Sequence, residues 1–375
     1  MYYSRIIEPE IKKQLFKNRI IIIYGARRVG KTTLVKKIMS EVPQQSVYLN
    51  CDEPDVRQAL TNKTSTELIN YLGNKTLVII DEAQRVRNIG LTLKLISDNS
   101  SKQIITTGSS SFDLSNQIKE PLTGRAREFY LAPLLLSELH QEPQAAQRLL
   151  HVRLRFGTYP EVVNMPEEAQ ETLRHLYQNY LYKDALEYQG LRNNELIPRL
   201  LEALALQIGS QVSYTELGSL LGIDQKTVRT YLRLLELSFV IFTLRPFSRN
   251  LRKEISKSRK IYFWDLGIRN AIINNFNPLN LRNDIGALWE NFVIAERIKL
   301  NQAQRQFSNS FFWRTWTKQE IDYLEEKEGK LWAYEIKWQK FQKTPPKLWL
   351  DTYPQASFQV INQENYWSFL QTTHV

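Results

Sequence analysis

Several groups of residues in this chain have the types and spacing that chemistry requires. The first is "GARRVGKTT", which runs Gly25, Ala26, Arg27, Arg28, Val29, Gly30, Lys31, Thr32 and Thr33. Its two glycines let the backbone fold round an anion without a Cβ clash. The loop amides and the positive end of the following helix then face phosphate groups. In that arrangement Lys31 reaches the β and γ phosphates of a nucleotide, and the Thr32 hydroxyl ligates magnesium. A second pair, Asp81 and Glu82, ends the apolar run "LVIIDEAQ". Asp81 could hold the magnesium through water and Glu82 could polarise the attacking water; the plainer reading is two acids capping a helix. A third run, "QIITTGSSS", ends in Thr107, Ser109 and Ser110, polar groups placed to sense a γ-phosphate beside Glu82.

Arg125 and Arg127 follow a loop and precede another strand in "LTGRAREFYL". A guanidinium there could offset charge on a neighbouring copy's γ-phosphate, or could form an ordinary surface ion pair.

The last group lies in "QEIDYLEEKEGKLWAYEIKW". Alternation puts Trp332, Tyr334, Ile336 and Trp338 on one face and Ala333, Glu335 and Lys337 on the other. A Glu-Gly turn folds the preceding "EIDYL" back, so Asp322, Glu335 and Lys337 can converge. Two carboxylates could hold a magnesium ion, with the lysine positioning water. Glu290, among apolar residues in "GALWENFVIAERI", needs a partner, and a shared metal would supply one. The competing reading is an ordinary charged hairpin with a solvated face.

The elements that must position these groups are legible in outline. Short apolar runs alternate with helical stretches through the first part ("RIIIIYG", "SVYLNCD", "TLVIIDE", "QIITTGS", "EFYLAPL"), which predicts a buried parallel sheet with crossover helices. From about 134 to 206 the pattern is helical and polar. Then "SYTELGSLLGIDQKTVRTYLRLLELSFVIFTLRPF" reads as helix, turn at Gly222, helix and strand. Leu217, Leu220, Leu221, Val228, Leu232 and Leu235 form its apolar stripe, Asp224 caps the second helix, and Lys226, Arg229 and Arg233 share an exposed face. That is helix-turn-helix patterning, suited either to DNA or to packing against protein.

The formal net charge is +11, which favours anionic partners, nucleic acid first. Part of the excess is concentrated: "RPFSRNLRKEISKSRK" holds seven cations, Arg245 to Lys260, against Glu254. A solvated basic face accounts for the charge equally well. A single cysteine, Cys51, rules out an internal disulfide framework and a cysteine metal cluster. With no secretory pattern at the N-terminus and no apolar run longer than "IIIIY", the expectation is a cytoplasmic protein without a membrane span.

The first half resembles the AAA+ ATPases, in particular the prokaryotic branch that ends in a domain of unknown function. "YGARRVGKTTL", "IIDEAQ", "TGSSS" and "LTGRAREFYLAPLLLSEL" stand where that branch has its P-loop, Walker B, sensor and arginine-bearing segments. The resemblance implies ATP and Mg2+ as cofactors, ATP hydrolysis, and Arg125 as a finger acting in trans within a homo-oligomer. It also supports a winged helix in the middle. The set Glu290, Asp322, Glu335 and Lys337 resembles the PD-(D/E)xK nucleases, departing in Ile321 where their signature has proline. The expected architecture is therefore α/β: an AAA+ ATPase domain with its helical lid over 1–195, a winged helix over 196–265, and a restriction-endonuclease-like domain over 266–375. Its expected work is ATP hydrolysis coupled to DNA binding, with metal-dependent cleavage, or with a tail that only docks DNA or protein.

Overall fold

The computed structural model describes residues 1–42, 45–109, 121–140, 142–181, 195–247, 259–342 and 344–371. Ser110 and the cations Arg249, Arg252, Lys253 and Lys257 lie outside the described residues.

Two compact units are present, Met1–Pro133 with Leu237–Phe239, and Leu134–Glu236 with Val240–Val375. In the first, β1 (Ile20–Tyr24), β2 (Ser46–Asn50), β3 (Leu77–Asp81), β4 (Gln103–Gly108) and β5 (Ala126–Tyr130) form one parallel sheet in the order β2-β3-β4-β1-β5. Strands β1, β3 and β4 are buried along their whole length, which explains why β1 and β3 read as continuous apolar runs rather than alternating ones. The order has a consequence for chemistry. β4 lies between β1 and β3, so the carboxyl ends of those two strands open onto one crevice rimmed by the end of β4.

The second unit carries a seven-stranded mixed sheet. Its strands are β6 (Gln211–Val212), β7 (Ile241–Pro246), β8 (Arg259–Phe263), β9 (Asn309–Arg314), β10 (Glu320–Lys327), β11 (Lys330–Ile336) and β12 (Ser357–Ile361). Their order is β12-β11-β10-β9-β7-β8-β6. Helices Tyr214–Leu221 and Gln225–Leu237 precede β7, with Ser213 capping the first and Gly222, left-handed at φ 70°, ending it. Asp224 accepts from the Thr227 amide at 2.9 Å, the cap its sequence position suggests.

These units differ from the three segments expected. The helices Pro143–Phe156 and Ala169–Leu176, expected as a lid on the ATPase domain, group with the C-terminal half. Asp265, which caps helix Leu266–Ile272, accepts from the Thr158 amide at 2.7 Å, and Asn270 donates to the Leu154 and Arg155 carbonyls. The boundary at 265 is bridged as well, because β7 pairs in parallel with β9 at Arg245↔Phe311 and Pro246↔Phe312.

One strand breaks the alternation read from the sequence. The pairing of β10 with β9 shifts register between Ile321 and Leu324, and both residues join the cluster of Trp313, Ala333 and Trp349. Asp322 sits within this irregularity, and its Oδ2 accepts from the Ile336 amide at 2.9 Å.

Candidate functional site

The loop between β1 and helix Lys31–Glu41 is built for close backbone approach. A Cβ on Gly25 would sit 2.2 Å from the Leu131 carbonyl oxygen, and Gly30 has φ +98°. Arg28 also takes a left-handed conformation, at φ 63°. Lys31 is buried and donates to the Gly25 and Ala26 carbonyls at 2.9 Å each. The ammonium therefore lies across the loop, over Gly25 and Ala26, with Thr32 and Thr33 following in the first helical turn.

Beside it, Asp81 gathers hydroxyls. Thr32 Oγ1 donates to its Oδ2 at 2.6 Å, Tyr48 donates to the same oxygen at 2.5 Å, and Thr107 donates to Oδ1. Burial and the Asp81 carboxylate both raise the Tyr48 pKa, so its proton stays on the phenol. Glu82 follows in a left-handed conformation, φ 53°, a costly backbone state for a non-glycine residue at a candidate catalytic position. Its amide donates to Thr107 Oγ1 at 3.2 Å, and Gln84 Nε2 joins its carboxylate, at 2.5 Å, to Ser109 Oγ, at 3.0 Å. Lys31, Thr32, Asp81, Glu82 and Ser109 are thus brought to one end of one sheet. These residues fit a magnesium nucleotide: an anion cradle that a Cβ would fill, an amine within it, and a hydroxyl paired with a carboxylate.

Three contributors were not picked out from the sequence. Arg5, nearly buried, donates to the Val29 carbonyl at 2.9 Å and the Ala132 carbonyl at 2.6 Å, bracing the loop from the chain's start. Tyr48 and Gln84 are the others. The "DEAQ" spacing could have flagged Gln84; nothing local marks Arg5.

Arg125 lies elsewhere. Its carbonyl accepts from the Ile20 amide and its guanidinium pairs with Asp98 at 2.8 Å. It thus stands at the start of β1, about 16 Å along the strand from the loop, too far to serve its own site. Arg127, in β5, is exposed.

The C-terminal residues also converge, around amines. Lys260, from β8, has a side chain only 3% exposed, with Nζ 2.5 Å from Glu320, 3.0 Å from Glu290 and 3.8 Å from Asp322. Tyr262 donates to Glu290 Oε1 at 2.7 Å. Lys337 reaches Glu335 at 2.7 Å and Asp322 at 3.4 Å, so Asp322 is shared between the two lysines. Burial alone would lower the Lys260 pKa, but Glu290, Asp322 and Glu320 more than reverse it. Burial pushes the Glu290 carboxyl up to about 7 despite Lys260. Among the described residues no three of His, Cys, Asp and Glu are grouped to hold a metal. The partner expected for Glu290 was a metal shared with Asp322 and Glu335; the partners found are Lys260 and Tyr262. As arranged, the cluster does not fit a divalent ion. Glu320 and Lys260 were missed as members, although Glu320 and Asp322 stand two apart on one strand.

Three family models match successive parts of the chain, the first gap falling close to the division between the two units. Residues 17–140 match the family model described as AAA domain, 147–279 that of a domain of unknown function (DUF8612), and 285–348 that of another (DUF4143). The middle match runs across 195 and 265, as the contacts do. The AAA-domain match over 17–140 and the parallel α/β sheet of the first unit agree with a P-loop ATPase-type fold. More particularly, the chain carries an AAA domain followed by a C-terminal domain of unknown function. It is 27% identical over 332 residues to an uncharacterized protein of Mycobacterium tuberculosis, covering 87% of this chain and 72% of that one. It is 26% identical over 348 residues to an uncharacterized protein of Methanocaldococcus jannaschii, covering 86% and 75%. Among solved structures, Drosophila ORC bound to AT-rich DNA and Cdc6 aligns at 10% identity over 72% of this chain and 92% of that one, with a TM-score of 0.29. The Pif1 helicase from Candida albicans aligns at 14% identity over 48% of each, with a TM-score of 0.27. Likenesses that low carry no argument. Among the described residues no helix is long and apolar enough to cross a membrane.

Proposed function

We propose that this protein binds and hydrolyses ATP with Mg2+, and that nucleotide state controls how its C-terminal half engages DNA. The observation that carries the reading is the juxtaposition of Lys31, Thr32, Asp81 and Glu82 at the end of β1 and β3. The amides of Gly25 to Thr33 cradle the phosphates, Lys31 moves from the loop carbonyls to the β and γ oxygens, and Thr32 and Asp81 hold the metal. Bound there, magnesium offsets charge on the transferring phosphoryl group. Glu82 accepts the proton of the attacking water while Gln84 and Ser109 fix its carboxylate. Arg125 would complete the site of a second copy, giving a homo-oligomer. Glu82→Gln should abolish turnover and leave nucleotide binding intact; wild-type protein with no ATPase above that variant, with and without DNA, refutes the reading.

DNA engagement rests on the second helix, Gln225–Leu237, read as the recognition helix of a winged helix. Lys226, Arg229 and Arg233 are exposed along it, while Val228, Leu232 and Leu235 are buried beneath. Replacing the three cations with alanine should weaken DNA binding and flatten its salt dependence. Binding unchanged in affinity and salt slope would favour a protein-packing role.

A further inference from the structure

The carboxylate cluster in the second unit has a cation built into it. An inner-sphere magnesium or calcium ion needs oxygens at about 2.0–2.6 Å on several sides. Lys260 Nζ already occupies the space between Glu320, Glu290 and Asp322, at 2.5, 3.0 and 3.8 Å. Lys337 closes the far side of Asp322 and covers Glu335. Arg314 takes the other Glu320 oxygen at 3.0 Å, and Tyr262 donates to Glu290. Four acids, Glu290, Glu320, Asp322 and Glu335, are thus matched by three cations and a phenol. A metal entering here would have to expel a buried ammonium and strand it without its partners, which burial makes strongly unfavourable.

We propose that Lys260 is a tethered substitute for a divalent ion, which makes this cluster a metal-free joint rather than a nuclease centre. The geometry gives the joint a task. Lys260 and Tyr262 belong to β8, which pairs with β7 after the helix-turn-helix; Glu290 belongs to helix Ile285–Ala303, and Glu320 and Asp322 to β10. One amine therefore ties β8, which follows the helix-turn-helix, to helix Ile285–Ala303 and to β10, a strand that is not its neighbour in the sheet. In a cutting enzyme those same acids would have to stay open to metal and phosphate. The inference stands apart from the ATPase reading, because none of these residues belongs to the nucleotide site.

The test uses the full-length protein without nucleotide, in an Asp81→Asn background that removes the P-loop carboxylate. Mn2+ uptake is followed by the electron paramagnetic resonance of the free ion, with Asp322→Asn, Lys260→Ala and the Lys260→Ala/Asp322→Asn pair alongside. The expected result is no uptake by the parent that Asp322→Asn removes, one equivalent gained in Lys260→Ala, and its loss again in the pair. Uptake of one equivalent by the parent, abolished by Asp322→Asn, overturns the proposal. So does a folded Lys260→Ala protein that gains no site. If Lys260→Ala does not fold, parent and Asp322→Asn decide by themselves: uptake or Mn2+-dependent cleavage of linear DNA lost in Asp322→Asn refutes the joint, and the absence of both supports it.

Discussion

Thr32 Oγ1 donates to Asp81 Oδ2 at 2.6 Å, tying the first turn of helix Lys31–Glu41 to a strand two places away in the sheet. Asp81 receives Tyr48 and Thr107 as well, so it serves three hydroxyls as an acceptor. Asp81→Asn replaces one acceptor oxygen with a donor amide. It should cost about 1–3 kcal/mol in the nucleotide-free protein, measured by urea denaturation, besides removing magnesium-dependent turnover. Tyr48→Phe should cost about 1 kcal/mol and leave turnover measurable. An unchanged midpoint in Asp81→Asn would show that the hydroxyl cluster does not hold the crevice together.

Arg5 braces the phosphate loop through the Val29 and Ala132 carbonyls. Arg5→Ala should raise the nucleotide Kd by about tenfold or more, a loss of about 1.4 kcal/mol, with the sheet intact by circular dichroism. Arg5→Lys restores the charge but cannot span both carbonyls, so rescue should be partial. Titration with a fluorescent ATP analogue reads both; full recovery in Arg5→Lys would reduce the effect to charge alone.

Arg297 and Glu325 form a two-pronged pair at 2.7 and 2.8 Å with both side chains 1% exposed. Asn301 and Tyr323 also donate to Glu325, and Arg297 reaches the Phe369 carbonyl. Glu325→Ala leaves a guanidinium buried beside an empty space and should cost about 3–5 kcal/mol. Arg297→Met with Glu325→Leu should cost much less than either single change. Denaturant midpoints of wild type, Arg297→Met, Glu325→Leu and the pair, with Glu325→Ala alongside, compare them directly.

Acid should expose a different pair. Burial tends to raise the Asp284 pKa, but hydrogen bonds and charge from Arg282 and Arg269 more than reverse it, to about 2 from an ordinary 3.8. The folded state thus holds its carboxylate more firmly than the unfolded chain does. Its contribution, about 2 kcal/mol, is present above about pH 4 and is lost as pH falls toward 2. Wild type and Asp284→Asn should converge in stability across that window; a constant gap would contradict it.

What could be read from the sequence, and what could not, follows from the range of the interactions. The phosphate loop is local: Gly25, Gly30, Lys31 and Thr32 lie within eight residues, and their roles follow from one turn of backbone. The helix-turn-helix is local too, carried by Ser213, Gly222 and Asp224 at the helix ends. Lys260 was visible only as one more cation in a basic run. Its acids lie 30 to 62 residues further on, and no local pattern in the sequence brings Lys260 of β8 to the acids of β10. The bulge beside Asp322 is not legible, because alternation carries no signal for one; Ile321 and Leu324 share a core that a period of two would keep apart. The polar pattern of the helices after residue 134 says that they pack without saying against what; their contacts group them with the C-terminal half.

The parallel contact between β7 and β9 is only two residue pairs long, extended by the Phe247 amide to the Phe312 carbonyl at 2.6 Å. Short as it is, it makes residue 265 a poor place to divide this chain. A tail released there by a protease, or copied alone into another gene, would present the bare margin of β9 and the ring of Phe311 that Phe247 now covers. Such a margin recruits strands from other molecules. Lineages that shuffled these parts would therefore keep residues 241–371 together, and a tail found without β7 and β8 should turn up with another strand in their place.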